Sequence, residues 1–309
     1  MANIKALQAN YADFFGANML PVLEEIFTSN LMRHPSVRER IFKILSHDRE
    51  IWQYSEVHDM PLFSSISEGS DYSFEKTLQG SDKTLTVVKY GLGYSISEEA
   101  VEDGKFAFLA DAIAKLAKSA KETQEQAAMD ILNNGFSTAT TADGLSLFNA
   151  AHTTPSGNIT IANTPAAQVD LSFSSLSDAI SQFKKVFRGD SGIYQMIMPK
   201  MLVVPTELEL YAQQLVKSSQ KADSDHNNIN PFANQLQVIS SPHLTDSDQW
   251  QLVSDPSENG LRVISRKGIE TKAGGSDVGF VNDAILYKAR YREIVGAVKP
   301  HGIYGSSGA

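Results

Sequence analysis

Side chains able to do acid, base, nucleophilic or metal chemistry are present in this chain, but they do not gather. Its histidines (His34, His47, His58, His152, His226, His243 and His301) are scattered. No two stand three or four residues apart, the spacing that sets two imidazoles around a zinc ion on one helix face. Asp223-Ser224-Asp225-His226-Asn227 has the carboxylate density of a cation loop without the central glycine and distal glutamate of a calcium site. Gly91-Leu92-Gly93 supplies two glycines of a dinucleotide fingerprint, but the third and the helix start that should follow are missing, so glycines at a strand end account for it. No phosphate-binding Gly-x-x-x-x-Gly-Lys-Ser/Thr loop, Gly-x-Ser-x-Gly elbow or His-Glu-x-x-His helix occurs. Arg188-Gly189-Asp190 follows a helical pattern, where glycine serves as a stop. There is no cysteine, which excludes thiol nucleophiles, disulfides and zinc-thiolate sites. The expectation is no catalytic residue, no cofactor and no metal: a structural or binding protein, not an enzyme.

The bulk properties agree. The chain has 309 residues, 42% hydrophobic and 20% charged, enough to bury a sizeable core. Its 27 Lys and Arg against 36 Asp and Glu give a net charge of −9. The densest basic run is Tyr287-Lys288-Ala289-Arg290-Tyr291-Arg292, so the sequence shows no stripe of the kind that grips phosphate backbones. No apolar run is long enough to cross a membrane and no apolar segment follows the first residues, so the chain reads as soluble and intracellular in origin.

The elements that must position these residues fall into five segments. Residues 1–58 carry two short helical patterns, Phe14 to Phe27 and Val37 to Leu45, too small for a domain and suited to an arm that packs on something else. Residues 59–95 read as a hairpin, with Tyr72, Phe74, Lys76 and Leu78 alternating on one strand, Thr84 to Tyr90 on the other, and a polar turn between. The pattern predicts one long helix over 96–134, roughly 55 Å at 1.5 Å per residue. It would start at a Ser95–Glu98 capping box, with an apolar stripe from Phe106 through Ile113, Leu116 and Ile131 to Leu132, and Lys118–Glu122 and Lys121–Glu125 paired on its wet side. Gly104 is a candidate kink. Residues 135–170 form a polar connection with one ordered patch, Asp143 to His152. Residues 171–309 read as α+β: a helix over Leu176 to Phe187, a buried strand Met201–Pro205, a helix to about Ser218, an exposed loop over 219–232, and strands near 235–240, 249–254, 261–265 and 284–298. In the last strand Tyr287, Ala289 and Tyr291 share one face and Lys288, Arg290 and Arg292 the other.

In their order, several of these pieces resemble the major capsid proteins of tailed bacteriophages, whose fold is shared with bacterial encapsulin shells. The hairpin Tyr72–Tyr90 resembles the family's extended loop. Tyr90-Gly91-Leu92-Gly93-Tyr94-Ser95-Ile96-Ser97 resembles the segment that leads into its spine helix. Asp143-Gly144-Leu145-Ser146-Leu147-Phe148-Asn149-Ala150-Ala151-His152 is similar to an Asp-Gly…Leu-Phe…His signature that follows that helix, and Asp283 to Arg292 to a late strand of the peripheral domain.

The resemblance implies an α+β capsid fold divided as an N-terminal arm (1–58), an extended hairpin loop (59–95), a peripheral domain with the spine helix (96–170), an axial domain (171–276) and a return to the peripheral domain (277–309). It implies a subunit that builds pentamers and hexamers of an icosahedral head around double-stranded DNA, without sequence-specific contact to it. Such a head belongs to a virion put together in the bacterial host cytoplasm. The short stretch before the hairpin points to a separate scaffolding protein, with a portal and decoration proteins as further partners. Inter-subunit contacts are expected from Tyr72, Phe74, Leu78, Lys83, Arg290 and Arg292. Lys76, Lys83 and Lys89 could in principle crosslink to an asparagine such as Asn282, but nothing marks a reactive pair. Two rivals stand beside this reading: an encapsulin-type compartment with an enzyme cargo, and a soluble α+β enzyme with a site built from loops 135–170 and 219–232.

Overall fold

A computed structural model describes residues 19–76, 79–97, 99, 106–218, 220, 229–273 and 284–309. The N-terminal helix α1 (Met19–Arg33) lies along the long helix α3 (Phe106–Asn133). Between them come a single turn, α2 (Arg38–Ile41), and a short strand, β1 (Lys43–Ser46). The helical pattern over Val37 to Leu45 therefore holds only for its first half. At Phe42 the backbone turns extended (φ −103, ψ 142), and Ile44 and Leu45 pair in register with Val263 and Ile264.

The 28 residues of α3 span about 42 Å at 1.5 Å per residue. Of its expected stripe Ile113, Leu116, Ala117 and Leu132 are buried and Ile131 is half-buried, while Ala128 and Met129, not expected in it, are buried beside them. Its start is not as expected. Ser95 and Ser97 lie in strand β4 (Val88–Ser97), with Ser95 opposite Leu286, so Ser95 is not a helix cap. Glu98 and Gly104 fall outside the described residues. The expected intrahelical pairs give way to partners elsewhere: Lys121 reaches Glu39 at 3.7 Å, Glu122 meets His243 at 3.0 Å, and Glu125 accepts from Ser36 Oγ and the Arg38 amide at 2.6 and 3.0 Å.

Two four-stranded sheets carry the rest. The first has the order β1-β10-β11-β4, with β10 (Leu261–Ala273) and β11 (Ala284–Ala297) as its long central pair. The second has the order β12-β9-β7-β8, from Ile303–Ser306, Trp250–Val253, Met201–Pro205 and Gln237–Ser241. Strand β7 is buried on both faces, which is why it reads as an unbroken apolar run. Leu202 and Val204 face a core built with helices α4 (Phe173–Val186) and α5 (Glu209–Lys217). Met201 and Val203 face a second core with the end of α3, Val263 and Val295. Helix α4 is capped by Ser172, whose hydroxyl accepts the Ser175 amide. The sheets exchange strands between 253 and 303. Strand β10 sits with β11, and β12 sits with β9, so a boundary at 276–277 separates neither sheet from the other. The connection from β5 (His152–Thr153) to β6 (Thr160–Ile161) is a small two-stranded ribbon.

The hairpin differs most from its expectation. Its strands are β2 (Ile51–Val57) and β3 (Gln79–Thr86), paired from Ile51–Thr86 to Val57–Gln79. Residues 72–76 form no strand; they belong to a long connection between β2 and β3. The alternation Tyr72, Phe74, Lys76 is a surface pattern without a pairing partner. Leu78 and the loop 221–228 lie outside the described residues.

Candidate functional site

The β2–β3 ribbon is a stem held to the body near both of its ends, by Leu85 at one and by His58 and Asp59 at the other. Leu85 packs with Ile264 and Val298 and leaves no room beside Gly296, where an added Cβ would stand 2.7 Å from its side chain. Lys83 donates to Thr140 Oγ1 at 2.7 Å, so this expected contact residue is engaged within its own chain. Past the stem, residues 60–76 carry large apolar side chains into solvent: Leu62 is 77% exposed, Phe63 fully so, Tyr72 74% and Phe74 91%. Met60, Leu62, Phe63, Ile66 and Tyr72 surround a hollow of about 440 Å³. Isolated apolar side chains on a surface need no explanation, but a cluster this dense marks a contact surface.

Where the stem meets the body lies a polar joint. Glu56, Asp59, Asp190, Arg188, Lys299 and His301 line a cavity of about 100 Å³. His58 Nδ1 meets Asp190, and Gln195 donates to Asp59 at 3.4 Å. Burial pushes the Glu56 carboxyl up, with Lys299 pulling against it, and burial pushes the Lys299 ammonium down. Burial would raise Asp190 too, but hydrogen bonds from Ser156 and Thr154 hold it below its ordinary value. His301, 5% exposed, is pushed down to about 3 by burial and by Lys299, and its Nδ1 has no hydrogen-bond partner among the described residues. Small-molecule sites run to roughly 300–1,000 Å³. This cavity takes a few waters; it is a joint, not a substrate pocket.

The ordered patch after α3 is held by one buried pair. His152 is fully buried, with Nδ1 at 2.6 Å from Asp143 Oδ2 and Nε2 at 3.2 Å from the Leu147 carbonyl. Asp143 also accepts from Thr141 Oγ1 at 2.5 Å and from the Leu145 amide at 3.1 Å. Burial alone would raise that carboxyl; these donors keep it below its ordinary value. Gly144 takes a positive φ of 82° at the turn between them, a conformation that favours glycine. The histidine positions backbone, with both ring nitrogens engaged.

On the outward face of the first sheet, Arg290 donates from Nε to Glu270 at 2.6 Å, an ion pair within the chain. Arg292 lies on the same face, half-buried and without an ion pair or hydrogen bond among the described residues. The structure thus gathers the candidate residues into two places: Tyr72 and Phe74 on the exposed loop, Arg290 and Arg292 on the sheet. Sequence reading missed Leu62, Phe63 and Ile66; a count of large apolar residues in an otherwise polar segment would have found them. Among the described residues no group of three or more His, Asp and Glu could hold a metal ion, and no helix is long and apolar enough to cross a membrane.

A family model described as phage capsid protein matches residues 81–306. Among solved structures, the capsid of cyanophage P-SCSP1u aligns with a TM-score of 0.58 at 9% identity, over 88% of this chain and 87% of that one. The capsid of bacteriophage JBD30 aligns at 0.57 and 13% identity, over 79% and 98%. A virus-like particle from Pyrococcus furiosus aligns at 0.53 and 10% identity, over 92% and 97%. These likenesses establish a shared fold. A search of curated proteins found no match.

Proposed function

Because this chain belongs to the phage capsid protein family, we propose that it closes an icosahedral head as pentamers and hexamers of itself, with double-stranded DNA enclosed. It is a structural head subunit. The observation that carries the finer reading is the contrast between the anchored β2–β3 stem and the solvent-facing apolar side chains of 60–76. Covering one such side chain gains about 1.5–3 kcal/mol. A monomer has no use for four of them on one loop, whereas a neighbour that covers them gains a hydrophobic anchor. Tyr72 and Phe74 are assigned to that contact, with Leu62 and Phe63 beside them. Repeated around a closed lattice, contacts of modest strength add up to a stable shell.

A net charge of −9 suits a wall that holds DNA without clinging to it. The reading assigns no catalytic role, in keeping with a family of structural proteins. A separate scaffolding protein, a portal and decoration proteins complete the proposed partners. Assembly is placed in the bacterial host cytoplasm, with the virion as destination. The fold likeness to the Pyrococcus virus-like particle keeps an encapsulin-type compartment as the alternative.

The test is size. Size exclusion with light scattering, followed by negative-stain electron microscopy of the heavy fraction, should show capsomers, shells or tubes. Packaged nucleic acid would favour a phage head, and packaged protein the compartment. A protein that stays monomeric with scaffold and crowding agent present would overturn the reading.

A further inference from the structure

Two kinds of attachment hold the β2–β3 stem, and they change over at one level. At the inner end the contact is apolar. Leu85 is buried with Ile264 and Val298, and Trp52, Tyr54 and Val87 pack on the same cluster. At the outer end it is polar. His58 Nδ1 meets Asp190, whose side chain is 1% exposed and also accepts from the Ser156 amide at 3.1 Å. Asp59 accepts from Gln195 at 3.4 Å and lies over Gly189, where a side chain would find no room.

Between the two ends the ribbon is irregular. Its ladder runs from Ile51–Thr86 to Ser55–Asp82 and then slips, so that the next pair is Val57–Gln79. Gly80 and Ser81 on β3 therefore stand against Glu56 alone. A bulge of this kind bends its strand and disrupts the ladder locally. At the same level the ribbon lies against Pro155, which a Cβ added at Gly80 would approach to 2.8 Å.

The charges across the outer contact attract without locking together. Glu56 and Asp59 belong to the stem, and Lys299, Arg262 and Lys43 to the body. Glu56 and Lys299 feel each other's charge, yet neither has an ion pair or a hydrogen bond among the described residues. Arg262 donates to the carbonyls of Asn259 and Leu261 at 2.7 and 2.8 Å. Attraction across such a gap weakens as the Debye length shrinks from about 30 Å at 0.01 M salt to about 3 Å at 1 M. Apolar burial does not weaken in that way.

We propose that residues 56–59 form a releasable latch. The outer end of the stem lifts from segment 188–190 and bends at the bulge, while Leu85 keeps the inner end seated. Closed, the latch fixes the angle at which residues 60–76 leave the body; open, it frees that angle. It belongs to the single subunit and stands whether or not the chain closes a shell.

The chain has no cysteine of its own, so a pair can be placed across the latch. A Cβ added at Gly189 would lie 3.3 Å from the Asp59 Cβ. Disulfides span about 3.5–4.5 Å between these atoms. Asp59→Cys with Gly189→Cys therefore closes the latch under oxidant and frees it under reductant. Hydrogen exchange of the dispersed subunit reads the opening at residues 55–59 and 79–82, with 85–87 as the internal standard. In the wild type, raising salt from about 0.01 M to about 1 M should speed exchange at the outer residues about tenfold and leave 85–87 unchanged. The disulfide should abolish that increase, and reductant should bring fast exchange back. His58→Ala, at a side chain 22% exposed, should show the high-salt rate already at low salt. It carries the test alone where the cysteine pair does not fold. Outer exchange that ignores salt, that survives the disulfide undiminished, or that is unchanged by His58→Ala overturns the latch. Equal acceleration at 85–87 overturns it too, because the whole stem would then leave the body. None of these outcomes bears on whether the wild type builds capsomers.

Discussion

Arg38 and Glu293 meet at 2.8 Å inside the protein, their side chains 7% and 4% exposed, although 255 residues separate them in the chain. Gln124 on α3 donates to the other Glu293 oxygen at 2.9 Å. The three groups tie the N-terminal segment, the long helix and the first sheet together at one point. Burial nonetheless pushes the Glu293 carboxyl up, because desolvation outweighs Arg38 and Gln124.

Removing one partner of such a pair strands the other charge. Arg38→Met is expected to destabilise the dispersed subunit by about 3–5 kcal/mol, and Arg38→Met with Glu293→Leu by much less. Urea unfolding of the three proteins measures both. Equal losses in the single and double variants would mean that the pair acts through packing and not through charge.

His301 makes the subunit sensitive to acid. Its folded value of about 3 lies below the unfolded 6.5. Between those values the unfolded chain binds the proton and the folded chain does not. The stability is fully present above 6.5 and is lost as pH falls towards 3, at about 1.4 kcal/mol per pH unit. His301→Gln should flatten the slope of unfolding free energy between pH 6 and pH 4 by that amount; an unchanged slope would assign the acid sensitivity to other groups.

Asp143→Asn takes the charge from a carboxyl that accepts from His152, Thr141 and the Leu145 amide. The expected cost is about 2–3 kcal/mol, because charge-assisted hydrogen bonds weaken and buried donors lose their acceptor. Hydrogen exchange should accelerate at Leu145 before it does in the second sheet.

Phe63→Ser with Phe74→Ser touches only exposed side chains. Monomer stability should stay within about 0.5 kcal/mol of wild type. Particle yield should collapse, which light scattering would register directly.

Gly260→Ala should destabilise by at least about 1–3 kcal/mol. An added Cβ would lie 1.8 Å from the Lys299 carbonyl, and that contact is with backbone rather than with a movable side chain. Thermal unfolding reads the loss.

How much of this was legible depended on whether one element carried the signal. Helix α3 and strands β7 and β11 announce themselves, since a stripe, an apolar run and an alternation each arise within one segment. The family resemblance rested on such local pieces and was sound. The hairpin was misplaced because β2 shows only weak contrast: Trp52, Tyr54 and Glu56 are half-buried while Ile51 and Val57 are exposed. Its loop residues Tyr72 and Phe74 alternate with no partner strand. Strand β1 hid inside a helical spacing, because Ile41, Ile44 and Leu45 fit either period until Phe42 turns extended. The first sheet joins strands from distant parts of the chain in the order β1-β10-β11-β4, so no window of sequence could display it. Of the expected contact residues, Lys83 and Arg290 turned out to be engaged at home, which spacing cannot foretell.

Strand β1 has a consequence for the order in which the molecule matures. It contributes only Lys43–Ser46, yet it covers the flank of the longer β10 in parallel register, from Lys43–Arg262 to Ser46–Ser265. That pairing closes a very large loop, and contacts so remote in sequence form slowly. Until it forms, Arg262–Ser265 present unpaired amides and carbonyls, a template on which a strand of another chain can add. Four residues near one end of the sequence therefore act as a stopper. Once paired, they leave that flank of β10 no open edge there for a strand of another chain.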